Sequence, residues 1–340
     1  MVNTFAENPD FRKTGLYASF IKQPLSFVDA GAAEGVFPLI MPIASLTHAM
    51  CFDPNQDAAE ELRACGQSSF AKYTVVSSAL YNKTGRHKFF VTKNPNCSSL
   101  LMPNLQLATR YGASGLPVKK IISVPTKSLD QIAFSRRYID ERIGEFIKLD
   151  CQGVEYDILL GAKKVLARQC MAVWCEAEFM HIYEKQKTFS ELNAYLQKNG
   201  FLLYGLYPRY ISAKKIDRKK CDTEERILWA DALYFKDPID KANKKRLFTK
   251  RDKEVILLVY LIAGYYDAAL ELIDVIYKAA ADKRLLKNVV YGLAQGKKKA
   301  IEAAAAQFIR DCRKDRKNTY LTAKRFIDKN KANNSVEFVK

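Results

Sequence analysis

Short apolar runs alternate with amphipathic stretches over about the first 236 residues of the chain. Runs of strand length lie at 25–31, 49–53, 71–80, 87–92, 146–150, 171–179, 201–206 and 229–235. Helical patterns lie between them at 55–65, 128–143, 155–168 and 188–199. Because strands that alternate with helices of this length form crossover units, the pattern predicts a mostly parallel sheet covered on both faces. The last two runs have no helix between them, which predicts a hairpin and one antiparallel edge.

The pattern changes after about residue 238, where a basic stretch leads into a region with helical pattern only. Residues 251 to about 330 contain no proline and show no strand alternation. The expected breaks between antiparallel helices are Gly264, Asp282 and Gly296. The sequence therefore predicts three parts, which are an N-terminal segment (1–24), an α/β domain (25–238) and a basic helical C-terminal domain (239–340).

The composition is that of a globular protein, and the charge is unevenly spread. The 340 residues are 48% hydrophobic and 27% charged, which excludes wholesale disorder. The formal net charge is +18, and residues 241–340 hold 24 basic against 11 acidic residues, a net of +13 that leaves +5 for the rest. Three roles for this region stay open: a bundle with a solvated basic face, a surface for anionic lipid or another polyanion through residues 241–330, and homo-oligomer formation through the apolar stripe of Val255, Leu258 and Ile262.

Cysteine usage and the absence of long apolar runs bear on the compartment. The longest apolar run, Val255 to Tyr266, is shorter than the roughly 20 residues that a bilayer helix needs, and the N-terminus lacks the apolar core of a secretory signal. The eight cysteines include no Cys-x-x-Cys pair, so we expect no zinc site. We expect a reduced, cytoplasmic protein, with a peripheral position on the inner membrane surface if the basic region binds lipid.

Residues 27–35, FVDAGAAEG, form the sharpest local motif. An apolar strand leads into Asp29 and then into glycines, an arrangement that brings a ligand to the carboxyl end of the strand. The spacing is not that of a dinucleotide site, and an acidic residue disfavours a phosphate, so the motif indicates a cationic ligand. Asp53 ends the second strand, where it either binds both hydroxyls of a ribose or caps the helix that begins near Asn55. Together the two acids fit S-adenosylmethionine better than a dinucleotide.

A second group of acids follows the fourth and fifth strands. Asp150 ends the fourth strand at the same edge, and Glu155 lies in the next helical turn, as an acceptor contact or as a helix cap. Glu176 and Glu178 share one strand face by period two, and carboxylates in so apolar a strand need pairing. His181 is the one histidine of three that lies beside these motifs, although a lone histidine is more often structural.

These segments resemble the successive motifs of the FkbM family methyltransferases. The resemblance covers about residues 24–236 and is carried by FVDAGAAEG, FDPN, TKSLDQI, FIKLDCQGVEYDILLGA and VWCEAEFMHIYEKQKTFSELNAYLQKNGFLLYGL. Two departures are modest: Asp53 stands where many members have Glu, and Pro38 and Pro42 interrupt the first helix, which must be short or kinked there. No family resemblance covers residues 241–340.

The resemblance implies an α/β, class I (Rossmann-like) methyltransferase sheet with an all-α C-terminal extension. It implies an O-methyltransferase that uses S-adenosylmethionine and acts on a hydroxyl of a sugar, a glycan or a similar small polyhydroxylated acceptor. The expected cofactor-binding residues are Asp29, Gly31 and Gly35 for the methionine part with Glu34 beside them, Asp53 and Asn55 for the ribose, and Ser78 and Ala79 for the adenine. The expected catalytic residues are Asp150, Glu178 and His181, and the expected acceptor contacts are Ser98, Ser99, Glu155 and Tyr183.

Methyl transfer to a hydroxyl needs in-line alignment and a base. Asp150 and Glu178 are the preferred bases, because neighbouring carboxylates raise each other's pKa. A divalent metal held by Asp150, Glu178 and His181 is the weaker option, since the spacing shows no metal signature. Two other functions rank lower. RNA methylation would use the basic C-terminal region, but the excess charge lies away from the motifs. A non-catalytic helical adaptor would carry a decayed methyltransferase domain, but the set of acids is complete.

Overall fold

The computed structural model describes residues 2–33, 35–66, 69–213, 215–216, 223–323 and 325–326. The chain forms two compact units. The sheet unit contains residues 24–37 and 44–247, and the helical unit contains residues 1–23, 38–43 and 248–340.

The sheet unit is built on a mostly parallel sheet, as the alternation of apolar runs predicts. Over the described residues this sheet has seven strands in the order β3-β2-β1-β7-β8-β10-β9. The strands are β1 (Leu25–Ala30), β2 (Thr47–Phe52), β3 (Lys72–Val76), β7 (Phe146–Leu149), β8 (Ala172–Glu178), β9 (Leu202–Ile211) and β10 (Arg226–Phe235). β10 pairs antiparallel with both β8 and β9, which confirms the predicted hairpin. The α/β fold class with a helical C-terminal region is thus confirmed.

A second, smaller sheet contains β4 (Ala79–Leu80), β5 (Gly85–Thr92) and β6 (Val118–Lys127), in the order β4-β6-β5. The sequence predicted the run that became β5 but missed β6. Most of β6 is exposed. Burial of one face is what makes apolar and polar residues alternate along a strand, so β6 lacks this pattern.

The helices of the sheet unit are short. They are α3 (Gln56–Gly66), α4 (Leu105–Tyr111), α5 (Leu129–Ala133), α6 (Glu155–Leu160), α7 (Lys163–Arg168) and α8 (Phe189–Lys198). The predicted helix at 128–143 is wrong in length, because α5 ends at Ala133 and only a 3-10 turn follows at Arg136–Tyr138. Between β1 and β2 the chain forms a 3-10 helix, Pro38–Leu46, with a kink at Ile43, as the two prolines predict.

The two faces of β8 have different surroundings. Val173, Cys175 and Ala177 belong to the main hydrophobic core of the sheet unit. The alternate residues Trp174, Glu176 and Glu178 therefore lie on the opposite face. Acidic side chains occupy one face of a central strand whose other face is packed in the core.

The helical unit contains α1 (Pro9–Arg12), α2 (Gly15–Lys22), α9 (Lys250–Ala263), α10 (Tyr266–Ile276) and α11 (Ala280–Lys314). Gly264 ends α9 in the left-handed region, as predicted, whereas the expected breaks at Asp282 and Gly296 are wrong because both residues lie inside α11. The apolar stripe of Val255, Leu258 and Ile262 is buried, so these side chains do not form an exposed surface. Among the described residues, the helices are too short or too polar to cross a bilayer.

Candidate active site

A buried ion pair joins the carboxyl ends of β1 and β7. The Asp29 carboxylate accepts a hydrogen bond from the Phe37 N–H at 2.8 Å and lies 3.2 Å from the Lys148 Nζ. The same Nζ donates to the Gly31 carbonyl at 2.9 Å and lies 3.8 Å from the Asp150 carboxylate. Lys148 thus connects the first glycine loop with the acid that follows β7.

The Asp29 carboxylate and the Lys148 ammonium stabilise each other's charged form, although both are buried. Burial raises the pKa of Asp29, and the Lys148 ammonium and the Phe37 N–H oppose that rise. Burial disfavours the charged form of Lys148, but the carboxylates of Asp29 and Asp150 outweigh it and hold the Lys148 pKa above its ordinary value. Sequence reasoning missed Lys148, although a lysine inside the apolar run FIKL was the available signal.

The two glycines of the motif, Gly31 and Gly35, differ in the space around their Cβ positions. Gly31 has φ +79°, and a Cβ there would lie 1.9 Å from the Asp150 carbonyl oxygen, so the close approach of two strand ends requires glycine. Gly35 has φ +105°, and among the described residues no atom lies within 4 Å of its Cβ position. The Cβ position is therefore open at Gly35 and closed at Gly31. Glu34 lies outside the described residues.

Polar groups follow β2 and β3 at the same edge. Asp53 is buried, and its Oδ1 accepts a hydrogen bond from the Asn55 N–H at 2.7 Å. Asn55 in turn accepts from the Asp57 N–H at 3.1 Å, so Asn55 rather than Asp53 caps α3. The Ser78 hydroxyl is buried and, within the described part of the chain, has no hydrogen-bond partner. Ala79 opens β4, where it pairs with Thr126.

Acidic residues face one another across β7, β8 and β10. Glu176 of β8 is the register partner of Asp231 of β10, and Leu149 pairs with Cys175, so Asp150 comes next to Glu176 in the same row. Burial raises the pKa of Glu176 well above its ordinary value, and the charges of Asp150 and Glu178 add to the rise. Burial also raises the pKa of Glu178, with the charge of Glu155 as the next cause.

The loop after β7 is held by side chains predicted to contact the acceptor. Gln152 has φ +61°, and its amide donates to the Asp150 Oδ1 at 3.0 Å. The Tyr183 hydroxyl donates to the Gln152 Oε1 at 2.8 Å, and the Ser99 hydroxyl donates to the Gln152 carbonyl at 2.7 Å. A Cβ at Gly153 would lie 2.9 Å from the Tyr183 ring. Tyr183 and Ser99 therefore fix the loop that presents Asp150.

The remaining predicted residues differ in their access to this edge. Glu155 is buried and accepts a hydrogen bond from the Cys151 N–H at 2.6 Å, and burial raises its pKa to about 7. Ser98 accepts from the Thr92 N–H at 3.2 Å and belongs to the turn after β5. His181 is exposed. Among the described residues, no three His, Cys, Asp or Glu side chains are arranged to hold a metal ion, so the structure does not bring His181 together with Asp150 and Glu178 as metal ligands.

An aromatic group lies beside the acids on the same sheet face. The Trp174 ring stacks on Tyr207 with centroids 5.4 Å apart, and the Phe37 ring lies 5.0 Å from Trp174. The Trp174 side chain opposes the rise that burial causes in the pKa of Asp231, and the Arg209 guanidinium lies 3.6 Å from the same carboxylate. Aromatic faces and carboxylates therefore line one region of the edge.

The strand order, the glycine loop and the acids at the strand ends form one polar edge of the sheet. The methyltransferase FkbM domain matches residues 29–203, which is 175 of the 340 residues and just over half of the chain. The chain therefore belongs to the FkbM methyltransferase family, and the resemblance predicted from its motifs is confirmed.

A solved structure from Streptococcus pneumoniae, described as "a putative tRNA (m1A22) methyltransferase", is also similar to the chain. It shows 10% sequence identity and a TM-score of 0.30, with 82% of this chain and 95% of that chain covered. No curated protein matches the chain.

Proposed function

We propose that the protein transfers a methyl group from S-adenosylmethionine to a hydroxyl of a sugar, a glycan or a similar small polyhydroxylated acceptor. The observation that carries this proposal is the position of Asp150. Its side chain is 41% exposed and lies at the edge between the buried Asp29–Lys148 pair and the acids of β8. A carboxylate that is open to solvent beside a cofactor loop is suited to take a proton from an acceptor.

The residues at the ends of β1, β2 and β3 fit S-adenosylmethionine. The Ser78 hydroxyl, which is buried and has no hydrogen-bond partner among the described residues, offers a hydrogen bond just after β3, where the adenine is expected. Asp53 offers a carboxylate to the ribose hydroxyls, and the open space beside Gly35 allows the backbone to approach the methionine part. Asp29 supports this site indirectly, because its carboxylate holds the Phe37 N–H at the end of the glycine loop.

S-adenosylmethionine supplies, when bound, a methyl carbon on a positively charged sulfur. The protein's own task is to align the acceptor oxygen and to receive its proton as the new C–O bond forms and the C–S bond breaks. Asp150 is held in place by the Gln152 amide and by Lys148, so its carboxylate is positioned before the acceptor binds. Glu178 is the alternative base, since its buried carboxyl has a raised pKa and accepts a proton readily.

Calorimetry with S-adenosylmethionine tests the first half of this proposal. We expect saturable binding to the wild-type protein, a loss of affinity of about tenfold in S78A, where one hydrogen bond is removed, and a larger loss in D53A. NADH is the matched negative control. No heat with saturating S-adenosylmethionine would contradict the proposed cofactor.

Transfer of radiolabelled methyl tests the second half. Neutral sugars, amino sugars and total RNA are supplied separately with S-adenosylmethionine that is labelled in the methyl group. Label in a sugar fraction as a methyl ether supports the proposal, and label in RNA alone contradicts it.

A further inference from the structure

Three carboxylates stand side by side on one face of β7, β8 and β10. Glu176 and Asp231 are direct register partners, and Asp150 follows the last residue of β7 that pairs with β8. Like charges at directly opposed positions destabilise a sheet. Folding alone therefore does not favour this row, and a group of opposite charge is expected to compensate it.

Among the described residues, the cations near this row compensate it only in part. Lys148 is nearer to Asp29, at 3.2 Å, than to Asp150, at 3.8 Å. Arg209 lies 3.6 Å from Asp231, at the far end of the row. At the centre of the row, Glu176 has the amide of Gln152 at 3.5 Å, the outer limit of a hydrogen bond. The centre of the row therefore has the weakest compensation.

An unpartnered oxygen lies next to that centre. Glu178 is 1% exposed, and its Oε1 has no hydrogen-bond partner among the described residues. By period two, Glu178 lies on the same strand face as Glu176, and its charge helps to raise the pKa of Glu176. A buried carboxyl oxygen without a donor costs free energy, so the site is one donor short.

The stacked rings of Trp174 and Tyr207 indicate which kind of cation would complete the site. Trp174 lies two residues before Glu176 on the same face of β8, so the stacked rings are adjacent to the row of acids. An organic ammonium group donates several hydrogen bonds to carboxylates and is also attracted to aromatic faces. Carboxylates and aromatic rings on one sheet face therefore match an amine-bearing ligand.

We propose that Glu176, Glu178 and Asp231 bind a protonated amine of the methyl acceptor, so that the acceptor is an amino-bearing polyhydroxylated molecule, such as an amino sugar. This inference rests on the proposed methyl transfer to a hydroxyl. A protonated amine has no free electron pair and does not accept the methyl group. Its role is to orient the molecule so that a neighbouring hydroxyl faces Asp150.

Matched charged and neutral sugars test this amine subsite. Glucosamine and galactosamine are titrated against the protein with saturating S-adenosylmethionine, and N-acetylglucosamine and N-acetylgalactosamine serve as their neutral counterparts. We expect at least one amino sugar to bind at least tenfold more tightly than its N-acetyl form. E176Q and D231N should each reduce this preference about tenfold, whereas E184Q, at an exposed acid outside the row, should keep it.

Two readouts separate this inference from the proposed function and from misfolding. E176Q should bind S-adenosylmethionine with wild-type affinity and should unfold at the same temperature or a higher one, because a like charge has been removed. Absence of S-adenosylmethionine binding by the wild type would contradict the proposed function. Normal binding of S-adenosylmethionine together with equal or no binding of the amino sugars relative to their N-acetyl forms would overturn the amine subsite.

Discussion

At the β1–β2 end of the sheet edge the acids have donors from the protein itself, whereas at the β8–β10 end they face other acids. Asp29 has the Phe37 N–H and Lys148, and Asp53 has the Asn55 N–H. Glu176 has a distant amide and a neighbouring aspartate. Both groups were predicted from the same kind of motif, an acid at the end of an apolar strand.

We interpret this difference as one of role: the acids of the first group stabilise the fold of the site, and those of the second group would bind a ligand. Asp29 is fully buried and fixes the glycine loop, so its charge is used within the fold. Glu178 is also buried. Its Oε1 and the Asp29 Oδ1 both lack a hydrogen bond in the described structure, but only the Asp29 Oδ1 has a cation beside it, the Lys148 Nζ at 3.2 Å. Local arrangements that folding disfavours are expected where a protein has a function. The β8–β10 end is therefore where acceptor recognition is expected, and the β1–β3 end is where the cofactor is expected.

Substitution of Gly31 should give the largest effect, and Gly35 is its matched control. G31A places a methyl group against the Asp150 carbonyl at a positive φ, so we expect a loss of stability of more than about 4 kcal/mol and little folded protein. G35A adds only backbone strain, about 1–3 kcal/mol, because no described atom lies near its Cβ position. Urea unfolding measures both. Equal stability of the two variants would contradict the role assigned to Gly31.

Breaking the Asp29–Lys148 pair should come next. D29N or K148M leaves one buried charge without its partner, so we expect each to cost about 3–5 kcal/mol in the free energy of unfolding. The double variant should cost clearly less than the sum of the two, which a double-mutant cycle measures. The exposed pair Lys187–Glu191 is the matched control, and its cycle should show no resolvable coupling. Additive costs at Asp29 and Lys148 would mean that their contact does not stabilise the fold.

The sheet was predictable because burial imposes a pattern on the sequence. The strands β1, β7 and β8 are apolar runs with acidic residues at or near their ends, and the two prolines after β1 predicted the kinked 3-10 segment. β6 was not predictable in this way, since an exposed strand carries no such pattern. Gly296 was wrongly predicted to end a helix, because glycine within a long, mostly exposed helix is tolerated at modest cost.

The partners of the site residues were less predictable than their positions. The contact of Lys148 with Asp29 depends on the pairing of β1 with β7, two strands far apart in the sequence. The same holds for Glu176 and Asp231, which meet only because β10 inserts beside β8. A strand-end acid can be found in a sequence, but whether a cation or another acid lies opposite follows from sheet order and register.

Replacement of Asp150 should affect turnover rather than binding. D150N keeps the shape of the side chain but cannot accept a proton, so we expect kcat to fall about 100- to 10,000-fold with little change in affinity for S-adenosylmethionine. Single-turnover methyl transfer and calorimetry measure the two quantities. E184Q is the matched control, because Glu184 is an exposed acid outside the row, and it should keep wild-type turnover. If D150N stays active and E178Q does not, Glu178 is the base.

A further expected effect is a pH-dependent loss of stability at Glu155. Burial raises the Glu155 pKa from 4.5 to about 7 in the folded protein. Between these two values the folded state keeps the proton and the unfolded state does not, so stability falls as the pH rises from about 4.5 to 7. Each unit of pKa corresponds to about 1.4 kcal/mol, so this residue should contribute a loss of about 2–3 kcal/mol across the window.

Unfolding of the wild type and of E155Q at several pH values between 4.5 and 7.5 isolates this contribution. Gln keeps an oxygen for the Cys151 N–H but does not titrate, so E155Q should lose less stability than the wild type as the pH rises. Glu176 and Glu178 titrate in the same direction in both proteins, so the difference between the two curves reports Glu155 alone where the sites act independently. Parallel curves would mean that Glu155 has the same pKa in the folded and the unfolded protein. The Cys151 N–H would then donate its hydrogen bond to an ionised Glu155 carboxylate across this pH range.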